Sequence, residues 1–460
     1  MPLGAMKQLQ FESQLYGWYQ AAAIQGVAAA MESGQNVIFD VAVDSSGNTY
    51  VAGSLAIFSA NGTTIFVAKY DSTGAVQWYK NYDYIGTSGF SSVGYAITFD
   101  SSGNVYITGG HYPYSFVLKL DTSGTTIWQR FINESSSINS LFKDIAVFGS
   151  NVAIVGGRNT TFNNALNGDY AVYNTDGVLQ ASRKLTQTGS TNWNYVTVSS
   201  INTGNVYIGG DYTNTAVVRS LLTKFDTSNN ILWTVRGPTD SENSIRASVP
   251  KSTATDSGIY VVGVYYSRVW LAEIDSNGAI VQQVRLYNNA DLSITSYGLG
   301  ITTDSSGNIY VTTYSGDGSP VNITKLNSSF AIVWSSIIPS QTFGAGPPYR
   351  LGIGVSSTNA LSIGGKQNSG LTAAAYASVI SLSTVNQASA QTVGTTNANL
   401  TVRIGIRSNA EVSSANLTFA ATTLTVDTTA FANITGNLSS TVRTLNTGTA
   451  SNIALLPSGA

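Results

Sequence analysis

Cysteine is absent from this sequence, and histidine occurs once, as His111. The first absence removes disulfides, thiolate metal sites, iron–sulfur clusters and cysteine nucleophiles together. The second removes clustered-histidine zinc sites and leaves one side chain for the commonest general base. Charge is also scarce: 22 Lys and Arg stand against 24 Asp and Glu, 10% of 460 residues, where a soluble domain carries about 25%. A net charge of −2 with no basic run excludes a phosphate-neutralising surface, so nucleic acid is not an expected partner. The Ala21 to Met31 stretch of small apolar residues is too short and too polar to span a bilayer. The N-terminus, Met1-Pro2-Leu3-Gly4-Ala5-Met6-Lys7, lacks the basic region and apolar core of a targeting segment.

What is present is an ordinary hydrophobic fraction of 43% with 45 Gly, so Ser, Thr, Asn and Gly supply the polarity that Lys and Glu usually provide. Two short patterns alternate along the chain. The first is an apolar strand, a tight turn and a second strand, as in Asp44-Ser45-Ser46-Gly47-Asn48-Thr49-Tyr50-Val51, Asp100-Ser101-Ser102-Gly103-Asn104 and Asp304-Ser305-Ser306-Gly307-Asn308. Four weaker copies bring it to seven. Measured at positions 50, 106, 153, 207, 260, 310 and 361, the copies are 56, 47, 54, 53, 50 and 51 residues apart. The second pattern runs from Phe66 to Trp78 and recurs up to Trp128, Ala181, Trp233, Gln282 and Trp334 with a constant nine-residue separation from Lys69 or its counterpart.

Each unit therefore contains four short strands, in the first unit roughly residues 37 to 44, 49 to 55, 65 to 71 and 75 to 82. They are rich in Val, Ile, Tyr and Phe and divided by Gly, Asn, Asp and Ser clusters. In the Asp-x-x-Gly turns, Asp caps backbone donors and Gly takes the positive φ that closes the hairpin. Seven four-stranded units with no helical period between them predict an all-β fold, a seven-bladed β-propeller with a small C-terminal β-rich segment. Three regions follow: an N-terminal arm at 1–35, the propeller at 36–387, and a Thr/Ala/Asn-rich tail at 388–460.

The run from Asp44 to Gly53, followed by Phe66 to Trp78, resembles the bacterial SBBP β-propeller repeat over about residues 36 to 386. That resemblance implies a seven-bladed architecture and surface-exposed contexts, and no reaction. The second pattern is also similar to the repeat of quinoprotein dehydrogenases and outer-membrane assembly propellers, in which the Trp docks one blade against the next. By that resemblance Trp78, Trp128, Trp233 and Trp334 are blade-docking residues. A quinone site would need a calcium-binding carboxylate cluster and a catalytic Asp, neither of which can be picked out, so no cofactor or metal is expected. Asp44, Asp100 and Asp304 read as turn caps, because a calcium site needs about six to eight oxygen ligands.

A ring must join its last blade to its first, and unit seven lacks a clear fourth strand after Ser383. Leu15-Tyr16-Gly17-Trp18-Tyr19-Gln20 reads like the fourth strands of other units; it is expected either to complete blade seven or to pack elsewhere as an arm. In the tail, alternation over Leu400 to Ile406, Leu417 to Phe419 and Leu424 to Val426 predicts three or four strands. Seventy residues with so few large apolar groups make a marginal core, so the tail is expected to pack on a partner or a symmetry mate.

Strand polarity sends the turns after strands one and three to one face and the longer, irregular connections after strands two and four to the other. Variable loops on a rigid scaffold are where binding usually lives. The candidate binding residues there are Tyr112, Tyr114, Phe162, Trp193, Tyr265, Tyr266, Tyr314 and Tyr349. Aromatic faces among amides and hydroxyls suit a sugar or a protein surface. With few acids and one His, no catalytic residue is assigned and a non-enzymatic role is expected. The setting that fits an uncharged, cysteine-free, all-β exterior without a targeting segment is a virus particle, as a bacteriophage tail, fibre or nozzle component. The expected partners are other virion subunits or a host-surface glycan or protein, with homo-oligomerisation. The alternatives are a bacterial surface or secreted binding propeller and a glycan-active propeller enzyme.

Overall fold

A computed structural model describes residues 17–24, 36–56, 62–84, 92–111, 114–133, 139–159, 165–186, 192–214, 217–237, 242–287, 297–314, 321–338, 351–357, 360–366, 377–383 and a series of short strands between 391 and 455. None of these residues is helical, and no helix long and apolar enough to cross a membrane occurs among them. The chain forms seven antiparallel blades. Blade one contains Val37–Val43, Thr49–Ala56, Thr63–Tyr70 and Val76–Tyr84, within two residues of the expected strands. Blades two to six repeat the plan, from Ser92–Phe99 in blade two to Ile332–Ile338 in blade six.

Apolar side chains pack between adjacent blades. Tyr50, Ile65 and Val67 of blade one meet Ile107, Phe116 and Leu118 of blade two in one buried cluster, and equivalent clusters join the later blades. Both edges of the blade carry a regular irregularity. The first strands of blades one to six each hold one extra residue: Phe39, Tyr95, Lys143, Val196, Arg246 and Leu299. The fourth strands do the same at Gln77, Ile127, Gln180, Leu232, Val281 and Val333. A bulge at an edge sharpens the local twist and ends regular pairing.

Blade seven is composite. Ile353–Val355, Ala360–Lys366 and Ala377–Ser383 supply three strands, and Gly17–Ile24 supplies the fourth, antiparallel to Ala377–Ser383 from Gly17↔Leu382 to Ala22↔Ala377. The N-terminal segment thus closes the ring. Trp18 lies opposite Ser381, the register position at which Trp128 lies opposite Lys119.

The tail, expected to pack on a partner, pairs instead with the chain's own rim. Thr401–Ile406 adds a fifth strand to blade six, Glu411–Ser414 to blade five, Ala420–Ala421 to blade four, Thr425–Asp427 to blade three, Ala432–Ile434 to blade two and Leu438–Thr441 to blade one. Leu445–Thr447 and Ser451–Leu455 then pair with Gly17–Ile24, and Ser451–Leu455 also pairs with Gln391–Gly394, where the belt began. The expected strand at Leu417 to Phe419 lies outside the described residues.

Geometry explains this backward course. Each strand is rotated roughly 20–25° from its neighbour, so the fourth strand turns from the axial toward the circumferential direction and runs toward the next blade. A strand antiparallel to all the fourth strands must travel from blade six down to blade one. Sheets about 10 Å apart near the axis fan out to roughly 23 Å apart at the fourth strand, a gap that about seven extended residues span. The belt strands from 401 onward begin five to ten residues apart.

Candidate functional site

The short-turn face is a repeated interlock. In blade two the Asp100 carboxylate accepts the backbone N–H of Ser102 and Asn104 and the Asn104 side-chain amide, and Tyr106 donates its hydroxyl to the same group at 3.0 Å. Burial alone would raise the Asp100 pKa, but these donors hold it below the ordinary 3.8. Burial and the adjacent Asp100 push the Tyr106 phenol far above its usual value. Lys119 places its ammonium 5.2 Å from the Tyr106 ring and donates to the Thr175 carbonyl of blade three at 2.8 Å. Trp128 sits edge-on to the same tyrosine and donates its indole N–H to that carbonyl at 2.9 Å. Gly177, at φ 78°, lies so close that a Cβ would sit 2.8 Å from the indole.

Trp78 repeats this arrangement on Thr122 and Gly124, and Trp233 on Ser276 and Gly278. Trp334 stands edge-on to Tyr310, but its N–H has no partner among the described residues. In the sequence, no Asp-x-x-Gly follows the third strand of blade seven, which ends at Ser383. Blade four shows a substitution in space. Ile201 stands where blades one, two and six have Asp, and Tyr207 donates instead to Asp256 of blade five, which also holds Lys224 at 2.6 Å and the Asn205 amide. These carboxylates are saturated by hydrogen-bond donors, and no group of three or more His, Asp or Glu arranged for a metal occurs among the described residues.

The opposite face carries the binding candidates, and the structure separates them. Tyr112, Phe162 and Tyr349 lie outside the described residues, and Trp193 is placed by its backbone alone, opposite Tyr212 in the ladder. Tyr114 is half-buried, its ring edge-on to Phe131 at 6.4 Å. Tyr265 and Tyr314, 6% and 4% exposed, belong to the interblade core. They close second strands at inward-facing positions, so they support the face from beneath and offer no ring to solvent.

Tyr266 is the exception at 51% exposure. It and Ser267 form a two-residue hairpin between Ile259–Tyr265 and Arg268–Ile274, at φ 50° and 58°. That conformation matches strand twist but ordinarily calls for Asn or Gly; a β-carbon in this region costs about 1–2 kcal/mol. Its N–H donates to the Glu242 carbonyl at 3.1 Å. The Tyr265 and Tyr266 rings stand 4.7 Å apart, and the Arg285 guanidinium lies 4.8 Å from the first and 5.8 Å from the second. The result is a solvent-facing aromatic ring braced by a buried ring and a cation, a geometry that offers a flat C–H-binding surface beside N–H donors. Arg285 escapes a sequence reading, because it sits on the fourth strand eighteen residues beyond the turn and only the fold brings it beneath Tyr266.

No protein-family model matches this chain, so its likeness to the SBBP repeat is one of motif. No curated protein matches it either. Solved structures are similar to it only at low identity and with TM-scores below 0.5. Virginiamycin B lyase from Staphylococcus aureus is 11% identical, with 79% of this chain and 99% of that chain covered and a TM-score of 0.42. Sqt1 from Chaetomium thermophilum is 11% identical over 80% and 98%, with a TM-score of 0.43. The periplasmic gluconolactonase PpgL of Pseudomonas aeruginosa is 11% identical over 79% and 96%, with a TM-score of 0.43.

Proposed function

We propose that this chain is a non-enzymatic structural and adhesive component of a virus particle, a bacteriophage tail, fibre or nozzle protein, whose variable-loop face holds a glycan or protein. The observation that carries the contact is the exposed Tyr266 ring, kept at positive φ and braced by Tyr265 and Arg285. Backbone strain retained at an exposed aromatic marks a position where presentation outweighs stability. A saccharide laid on that ring gains C–H contact with the aromatic face and hydrogen bonds from neighbouring polar groups. The virion setting rests on the low charge, the absent cysteine and the Ser/Thr/Asn-rich exterior.

The test combines a glycan array with the Tyr266→Asn variant. Asn tolerates the left-handed turn, so the variant keeps the hairpin and removes only the ring. Glycan or host-surface binding is expected to disappear, and binding by the parent protein is expected to change little with salt, since few formal charges take part. Retained binding in the variant would overturn Tyr266 as the contact. Mass spectrometry of purified phage particles checks the setting: a chain absent from the particle would overturn it.

A further inference from the structure

We propose that the C-terminal belt is exchangeable, and that the rim of one ring accepts the belt of a second copy of this chain. On blades one to six the belt is held by main-chain ladders of two to four residue pairs each. Ladders of this kind read strand direction and edge, so the belt of another copy satisfies them identically. A ladder so short is marginal alone. The belt holds because its strands are tethered in series, each raising the effective concentration of the next, and such a series opens from its free end one blade at a time.

The acceptor sites are restricted. Each fourth strand of blades one to six carries its bulge near its start, at Gln77, Ile127, Gln180, Leu232, Val281 and Val333, and the belt pairs only beyond it. In blade two the extra residue is Ile127 while the belt pairs with Phe131–Asn133; in blade five it is Val281 while the belt pairs with residues 284–287. The bulge discourages strand addition at the front half of each edge, which leaves six rear halves at a fixed spacing around the ring. An unrelated strand fits one of them. A chain whose strands begin five to ten residues apart fits all six in order, and that chain is the belt. In sequence, seven residues separate Ser383, the end of blade seven's third strand, from Gln391 at the start of the belt. This inference is independent of glycan binding at Tyr266.

The absence of native cysteine permits a direct test on the full chain. Thr186 lies opposite Thr425, and Asp83 opposite Ser439. Cα atoms facing each other in an antiparallel pair are about 4.5–5.5 Å apart, within disulfide reach. The double variants Thr186→Cys/Thr425→Cys and Asp83→Cys/Ser439→Cys should each form an internal bridge, which establishes the fold and register. Then 15N-labelled Thr186→Cys protein is incubated with unlabelled Thr425→Cys protein under mild oxidation, and bridged peptides are identified by mass spectrometry. Exchange yields labelled–unlabelled 186–425 bridges roughly a hundredfold above the mispaired mixture of Thr186→Cys with Ser439→Cys, the gain expected of tethered weak contacts. Equal yields in the two mixtures would overturn the proposal, as would double variants that form no internal bridge.

Discussion

At the scale of single residues, the blade interlock makes its own contributions measurable. Gly177 and Gly307 both hold positive φ, at 78° and 77°, but a Cβ on Gly177 meets the Trp128 indole whereas one on Gly307 meets nothing within 4 Å. Gly307→Ala should therefore cost about 1–2 kcal/mol of backbone strain alone, and Gly177→Ala measurably more; urea unfolding of the two variants isolates the docking contribution as the difference. The tryptophans divide the same way. Trp128→Phe loses a bond to Thr175, worth about 0.5–1.5 kcal/mol, while Trp334→Phe has no such bond among the described residues to lose. Asp100 is one of several carboxylates that contribute to the acid limb. Its pKa is lower in the folded protein than the ordinary 3.8, so its contribution is complete above that value and fades as pH falls through the folded-state value. Melting temperatures across about pH 2 to 5 should fall less steeply for Asp100→Asn than for the parent. Asp100, Tyr106 and Trp128 are legible in sequence because all three fall within one repeat. Asp256, serving a tyrosine of the preceding blade, is not, since the carboxylate has moved one unit along the chain while staying at the same place in space.

At the scale of strands and turns, apolar alternation made visible what the core needs and little else. The blades announce themselves because strands such as Ile259–Tyr265 are buried at every position and must be written in Val, Ile and Tyr. The belt strands of the tail rest on main-chain pairing at an edge, which imposes no apolar period, so only Thr401–Ile406 and Thr425–Asp427 coincided with alternating stretches. The hairpin at Tyr266 conveys the same lesson in reverse: nothing in Tyr265-Tyr266-Ser267-Arg268 marks a two-residue turn, since neither central residue is one such a turn prefers. Replacing Tyr266-Ser267 by Asn-Gly should relieve left-handed strain and raise stability by about 1–2 kcal/mol in thermal or chemical unfolding, even as the ring proposed for binding is lost. A stabilising change that removes function is the signature of strain kept for a purpose.

At the scale of the whole molecule, the first and last described strands converge on blade seven. Gly17–Ile24 pairs with Ala377–Ser383 on one side and with the last belt strands on the other, so one N-terminal strand holds the ring closed and anchors the belt. Its aromatic pattern was readable beforehand because Trp18 occupies the register position of the docking tryptophans; its contact with the tail was not, because that pairing spans more than four hundred residues and leaves no local trace. Pairings this distant in sequence bear the full entropy of loop closure before any reward, so they form late. Deleting residues 1–24 removes the six-residue ladder with Ala377–Ser383, at about 1 kcal/mol for each lost bond, and strips the belt of its terminal partner. The deleted protein should melt at a lower temperature and in a broader transition, with blade seven and the rim exchanging amide hydrogens before blades two to five. Hydrogen exchange read by mass spectrometry checks that order. Uniform protection across all seven blades after the deletion would mean that the ring closes without its N-terminal strand.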